Sequence, residues 1–153
     1  MSISIVLVPV AIAAVSAWRA SRPERDPVTG RTVIGVQTRM RDTGLLTLAL
    51  SDMQAQVHQH QDGSLIAQWQ NTQAHFHQDP DGVWQVDFTG AIDTDSATSI
   101  VTAIDAAYGR QVQQAVLARL RERAPLAGMN VASESTDDTG TITLVLDIHE
   151  AHA

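Results

Sequence analysis

Between Gln56 and Thr89 the sequence alternates polar and apolar residues in four short runs, separated by the turn-forming sequences QDGS, NT and DPDG. Alternation with period two is typical of strands that bury one face, and turn residues between such runs indicate hairpins. We therefore predict four strands at about 56–60, 65–70, 73–78 and 83–89. Their predicted inward side chains are Val57, Leu65, Ala67, Trp69, Ala74, Phe76, Trp84, Val86 and Phe88. This pattern constrains the chain to an antiparallel meander.

The segments on either side of the meander indicate further strands and helices. Residues 31–39 have the pattern of a strand, and Asp42 is placed to cap a short helix with apolar positions over 45–53. After the meander, apolar residues recur with helical spacing over 97–120. This stretch is either one long helix or two helices joined near Gly109.

Two closing strands are predicted after the helical region. Pro125 and Gly128 end the helix, and residues 129–135 and 141–148 form strands on either side of the turn sequence TDDTG. Hairpins combined with helices predict an α+β fold with two layers, in which both helical regions cover one face of a single antiparallel sheet. This domain spans 31–148, and a polar tail over 149–153 follows it.

Parts of this domain resemble a known family. They are VQTRMRDTGLLTLAL near the start and, further on, Ala107-Tyr108, Val112, the helix to Ala124, MNVASES and TITLVL. With the order of predicted elements, these sequences resemble the hypothetical chloroplast reading frame 35 family, a domain of unknown function (number 1257), over about residues 31–148. The resemblance implies a fold and no particular activity. It also implies that residues 1–30 are an addition to the family's domain.

The first 18 residues contain a long run without charge, SISIVLVPVAIAAVSAW. As a helix this run is about 25 Å long, close to the roughly 30 Å hydrocarbon core of a bilayer. Trp18 ends the run, and Arg19, Arg22 and Arg25 follow within a basic linker over 19–30. We therefore predict an N-terminal apolar helix that anchors the protein in the inner membrane as a single span, with the C-terminal domain in the cytoplasm.

Two other interpretations of residues 1–18 remain open at this point. A cleavable signal peptide would explain the length, but no basic residue precedes the apolar run. A segment packed on the domain is the other interpretation, because the isoleucines, the valines and the alternating Ser2 and Ser4 also suit a strand. In that case the protein would be cytoplasmic.

Composition excludes several classes of chemistry. The chain has no cysteine and no lysine, which excludes disulfides, thiolate nucleophiles, Schiff-base lysines and phosphate-loop lysines. Its net charge is −7, and from Asp42 onward four arginines face fifteen acidic residues. An acidic domain repels phosphate backbones, so we predict no nucleic-acid binding. We also predict no cofactor.

The histidines are the side chains that most suggest a site. His58 and His60, and likewise His75 and His77, form H-x-H pairs on predicted strands, so that each pair points to one face. Imidazoles on one face are candidate ligands for zinc or copper. In a meander, however, strand 65–70 lies between the two histidine pairs, which places the pairs roughly 9–10 Å apart. Asp87 is a predicted cross-strand neighbour of His75 or His77.

From these observations we predict a membrane-anchored adaptor that faces the cytoplasm, binds another protein and lacks catalytic activity. Its docking surface is the exposed sheet face, with Gln68, His75, His77, Gln85 and Asp87. The alternative is a metal-binding enzyme or sensor that uses the four histidines of the H-x-H pairs.

Overall fold

A computed structural model of the protein describes residues 1–8, 24–25, 32–90 and 92–149. These residues fall into two units, each with its own sheet and hydrophobic core. The central unit comprises the described residues from 24 to 108, and the terminal unit comprises 1–8 and 109–149.

The described residues form nine strands, two α-helices and one short 3-10 helix. In chain order they are β1 (Ser2–Leu7), β2 (Glu24–Arg25), β3 (Thr32–Gln37), α1 (Thr43–Asp52), β4 (Gln56–Gln59), β5 (Leu65–Gln68), β6 (Thr72–Gln78), β7 (Trp84–Gly90), α2 (Thr94–Arg123), the 3-10 helix (Pro125–Ala127), β8 (Met129–Thr136) and β9 (Ile142–Ile148). The predicted α+β class with antiparallel sheets is confirmed.

The central unit is built on a six-stranded antiparallel sheet in the order β2-β3-β7-β6-β5-β4. One face of this sheet packs against α1 and the first part of α2 in a core that includes Phe76, Trp84 and Phe88. The predicted meander is confirmed, because β4 to β7 pair in sequence order. Asp42 caps α1 as predicted: its carboxylate accepts the N–H of Leu45 at 2.9 Å.

The terminal unit is a three-stranded antiparallel sheet in the order β1-β9-β8, covered by the end of α2. Its core is aliphatic, with Leu117, Leu144 and Leu146 almost fully buried. The buried Gln113 side chain donates to the carbonyls of Leu7 and Gly140, each at 2.8 Å. This amide therefore connects β1 to the turn between β8 and β9.

The predicted N-terminal apolar helix and membrane anchor are wrong. Residues 2–7 form β1, which pairs with β9 from Ser2 opposite Asp147 to Leu7 opposite Ile142. Within the described ranges, no helix has both the length and the apolar character needed to span a bilayer. The physical reason is that Ile3, Ile5 and Val6 are β-branched, and β9 supplies a hydrogen-bonding partner for their backbone.

The remaining anchor residues mostly lie outside the described ranges. Trp18, Arg19 and Arg22 are among them, and Arg25 is paired within the short strand β2. The predicted membrane partner and inner-membrane location rested on the wrong helix, so neither is proposed again. The strand alternative is confirmed for residues 2–7, although only Ile5 and Leu7 are half-buried there.

The closing hairpin differs from the prediction in its position. Strands β8 and β9 form as expected, but they belong to a second sheet with β1 instead of extending the meander. The predicted long helical region is one continuous helix, α2, and Gly109 lies within it.

Candidate metal centre

The register of the β6-β7 hairpin is fixed by its turn. The Asp79 carboxylate accepts the N–H groups of Asp81 and Val83, both at 2.9 Å, and Gly82 takes a positive φ of 77°. Glycine suits this left-handed position, because a Cβ would strain it. The strands then pair symmetrically about Asp81, so that His75 lies opposite Asp87 and His77 lies opposite Gln85.

The alternation of side chains along β6 and β7 places the polar residues away from the core. Phe76, Val86 and Phe88 are buried, so the residues between them point to the opposite face of the sheet. We call this opposite face the outer face. It carries Gly35, Gln37, His58, Ile66, Gln68, Gln73, His75, His77, Gln85, Asp87 and Thr89.

Three ionisable side chains come together on the outer face. One ligand atom from each of His75, His77 and Asp87 lies within 4.8 Å of the other two. The Nδ1 atom of His77 is 3.6 Å from a carboxylate oxygen of Asp87. The two imidazole rings are inclined at 35°, with their centroids 5.8 Å apart. We call this group the His-His-Asp cluster.

The cluster is close to the size that one metal ion requires. Zinc–nitrogen and zinc–oxygen bonds are about 2.0–2.2 Å long, so two ligand atoms on one tetrahedral ion lie no more than about 3.6 Å apart. The 3.6 Å separation of His77 and Asp87 already meets this limit. A pair at the 4.8 Å limit has to close by roughly 1.2 Å, which requires rotation of the partly exposed side chains.

The ligand set determines which ions the cluster suits. Two imidazole nitrogens and one carboxylate oxygen are donors that suit zinc and the neighbouring divalent transition metals better than magnesium or calcium. Three protein ligands also leave at least one coordination position open, as in catalytic rather than structural zinc sites. The cluster can therefore hold a metal ion that also binds an outside ligand.

A surface pocket of about 320 Å³ adjoins the cluster and shares His77 and Asp87 with it. Its other lining residues include Gly35, Gln37, Asp79 and Gln85. Gly35 lies directly opposite Asp87 in the pairing of β3 with β7, and both residues line the pocket. The Gln85 amide donates to Asp79 at 3.1 Å, so this part of the lining is held in place.

The structure separates the two predicted H-x-H pairs. His58 lies opposite Ile66, and Ile66 lies opposite His75, so one strand stands between the pairs as predicted. His60 lies beyond β4, in the turn where its backbone N–H donates to Ser64 at 2.9 Å. His58 and His60 are therefore not part of the His-His-Asp cluster.

Three other carboxylates are used for local structure. The Ser64 hydroxyl and backbone N–H lower the pKa of Asp62 in the β4-β5 turn. The backbone N–H of Ser96 lowers the pKa of Asp93 at the start of α2. The hydroxyl of Thr139 and the backbone N–H of Thr141 lower the pKa of Asp137. These hydrogen bonds stabilise turns and a helix start, as the positions of acids in the sequence indicate.

Sequence reasoning recognised Asp87 as a neighbour of the histidines but missed it as a third ligand. It also missed the pocket around Gly35 and Asp79. The signal for the ligand was present in the turn sequence DPDGV, because a three-residue loop that ends in glycine fixes which residues of β6 and β7 face each other.

Comparison with protein-family models, with curated proteins and with solved structures found no match to this chain. The resemblance to the reading frame 35 family therefore stays a prediction, and the function has to be argued from the site itself.

Proposed function

We propose that the central unit binds one divalent transition-metal ion through His75, His77 and Asp87, with zinc as the reference ion. The observation that carries the proposal is the mutual distance of three ligand atoms of suitable type, all within 4.8 Å. Two of the ligands are adjacent on one face of β6, and the third is across the hairpin on β7. The metal therefore bridges two strands whose register is already fixed.

The rigidity of the hairpin supports this proposal. A metal site is more effective when its ligands are on regular strands rather than mobile loops. Here the backbone under the ligands is hydrogen-bonded within the sheet, and the side chains between them are packed in the core. Binding therefore requires rotation of side chains and little rearrangement of the backbone.

Metal titration of the purified 153-residue chain tests the proposal. After chelator treatment, isothermal titration with zinc should give one site per chain in the original protein. The double substitution His75→Ala/His77→Ala should abolish this site. Asp87→Asn should weaken it by at least the roughly 10–100-fold that loss of a supporting residue costs a metal site.

A matched control is available on the same sheet. The double substitution His58→Ala/His60→Ala also removes two exposed histidines, but it leaves the His-His-Asp cluster intact. We expect its zinc affinity to equal that of the original chain. Equal loss of zinc in both double variants, or no saturable site in the original protein, would contradict the proposal.

The predicted adaptor role, without its membrane tether, stays a prediction. It uses the same outer face, so it is distinguished from metal binding by dependence on the metal. A docking surface without a metal would keep its partner in the presence of chelator, whereas the metal site would lose its ion.

A further inference from the structure

Most of the pocket next to the His-His-Asp cluster is lined by residues that do not hold the metal. It shares only His77 and Asp87 with the cluster, and the rest of its lining comes from β3, β7 and the start of the β6-β7 turn. Its volume of about 320 Å³ lies at the lower end of the range for small-molecule sites. This space exceeds what a single metal-bound water fills, since a water takes about 30 Å³.

We propose that this pocket binds a small organic monocarboxylate whose carboxylate group occupies an open coordination position of the metal. This inference rests on the proposed metal site. It adds the class of ligand that the metal and the pocket bind together.

Charge balance is the first argument for a monoanion. Without a metal, the carboxylates of Asp79 and Asp87 make the pocket negative and repel an anion. A divalent ion cancels these two charges and offers a coordination bond, so a single negative charge becomes acceptable. A dianion would add a second negative charge beside Asp79, and the one basic side chain among the described lining residues, His77, is already used as a metal ligand.

The hydrogen bonds that Asp79 accepts are the second argument. Its carboxylate accepts the N–H groups of Asp81 and Val83 and the amide of Gln85. Asp79 is thereby committed to the turn and is not placed as a further metal ligand, since the His-His-Asp cluster does not include it. The metal keeps its open position for a ligand from solution.

The hydrogen-bonding groups of the pocket are the third argument. Gln37 and Gln85 are opposite each other on β3 and β7, and both line the pocket. Amide side chains donate and accept hydrogen bonds, so they suit a hydroxyl, carbonyl or carboxylate oxygen of a small acid. Gly35 provides the space in which the carbon skeleton lies next to Asp87.

The test uses the 153-residue chain loaded with cobalt(II), whose visible absorption reports changes in coordination, and lactate as the probe. Cobalt titration first measures metal binding by itself. Lactate should then change the cobalt spectrum in a saturable way, and NMR of lactate should show no binding to the metal-free chain.

Two substitutions separate the pocket from the metal ligands. Gln37→Glu adds a negative charge to the pocket and should weaken lactate binding at least tenfold, with cobalt affinity retained or raised. Gly35→Val fills the space beside Asp87 and should have the same effect on lactate. Gln68→Glu is the matched control, because Gln68 is exposed on the outer face and does not line this pocket.

The possible failures are distinct. Stoichiometric cobalt binding without a lactate response would overturn this inference and leave the metal proposal standing. A lactate response that is equal in the original chain, Gln37→Glu and Gly35→Val would also overturn it. Failure to bind cobalt would overturn both proposals.

Discussion

The two units solve the same folding problem with different parts of the chain. Each has an antiparallel sheet covered on one side by helix, but the central sheet pairs β4 to β7 in sequence order, whereas the terminal sheet pairs β1 with β9 from opposite ends of the chain. Local hairpins set their register through short turns. Pairing across about 140 residues requires closure of a very long loop, whose entropic cost grows only slowly with length.

The cores of the two units, and the sheet faces opposite the helices, also differ. The central core contains three large aromatic side chains, Phe76, Trp84 and Phe88, and the terminal core is formed by aliphatic residues. The face of the central sheet opposite its helices carries the His-His-Asp cluster, whereas the corresponding face of the terminal sheet carries residues such as Ser4 and Val145. The candidate metal site therefore lies in the unit whose strand register is set by short turns. The unit that depends on the long-range pairing of β1 with β9 contributes an aliphatic core.

Core truncation should give the largest effect and should distinguish the units. Phe76 is fully buried in the central core, so Phe76→Ala should lower the free energy of unfolding of that unit by about 3–5 kcal/mol. Hydrogen exchange should show this as reduced protection of amides in β5, β6 and β7. The counterpart in the terminal core, Leu144→Ala, should cost about 2–5 kcal/mol and reduce protection in β8 and β9.

The same two variants also test whether the two units unfold independently. If either substitution lowers protection equally in β7 and β9, then the two sheets open as one cooperative unit and the division into separate cores has no energetic meaning.

The same contrast explains which parts of the fold the sequence predicts. The meander and both helices follow from local information: alternation, turn residues and a cap at Asp42. β1 was predicted as a helix because its uncharged run matches a membrane span, and its alternation of Ser2, Ile3, Ser4 and Ile5 is too short to outweigh that. The second sheet was missed for a related reason, since nothing near β9 in sequence indicates that its neighbour is at residues 2–7.

The candidate site was predictable in part. Alternation placed His75 and His77 on the outer face, and the meander order correctly placed Ile66 between them and His58. The choice of Asp87 as the third ligand requires the register of β6 against β7, which alternation alone does not give. The pocket depends on Gly35, which comes next to Asp87 only through the non-consecutive pairing of β3 with β7.

Removal of the amide that connects β1 to the β8-β9 turn should have the next largest effect. Gln113→Leu leaves the carbonyls of Leu7 and Gly140 without this donor and should cost the terminal unit about 1–3 kcal/mol. Gln114→Leu is the control, because Gln114 is exposed on the same helix. Urea unfolding measures both. If Gln113→Leu matches its control, β1 is held by its pairing with β9 alone.

Glycine substitutions compare backbone strain in the two units. Gly90 in β7 has a φ of 122°, and a Cβ there would lie 3.0 Å from the carbonyl oxygen of Asn71, so Gly90→Ala should cost about 1–3 kcal/mol. Gly128 has a φ of 73° and open space around it, so Gly128→Ala should cost only about 1 kcal/mol. Thermal unfolding gives both values. If Gly128→Ala costs more than Gly90→Ala, the crowding between a Cβ at position 90 and the carbonyl of Asn71 is relieved by movement of the turn that contains Asn71.

The smallest expected effect is the pH dependence of the capping carboxylates, Asp93 in the central unit and Asp137 in the terminal unit. Hydrogen bonds lower the pKa of both in the folded state from the ordinary value of 3.8. The unfolded chain therefore binds more protons, so their contribution is fully present above about pH 4 and is lost as the pH falls through the lowered values. Asp93→Asn or Asp137→Asn should flatten the decline of the urea midpoint below about pH 4. Asp95→Asn is the control, because it removes a charge from the first turn of α2 but leaves the hydrogen bond from Ser96 to Asp93 intact. An equal flattening in this variant would assign the effect to net charge instead of these hydrogen bonds.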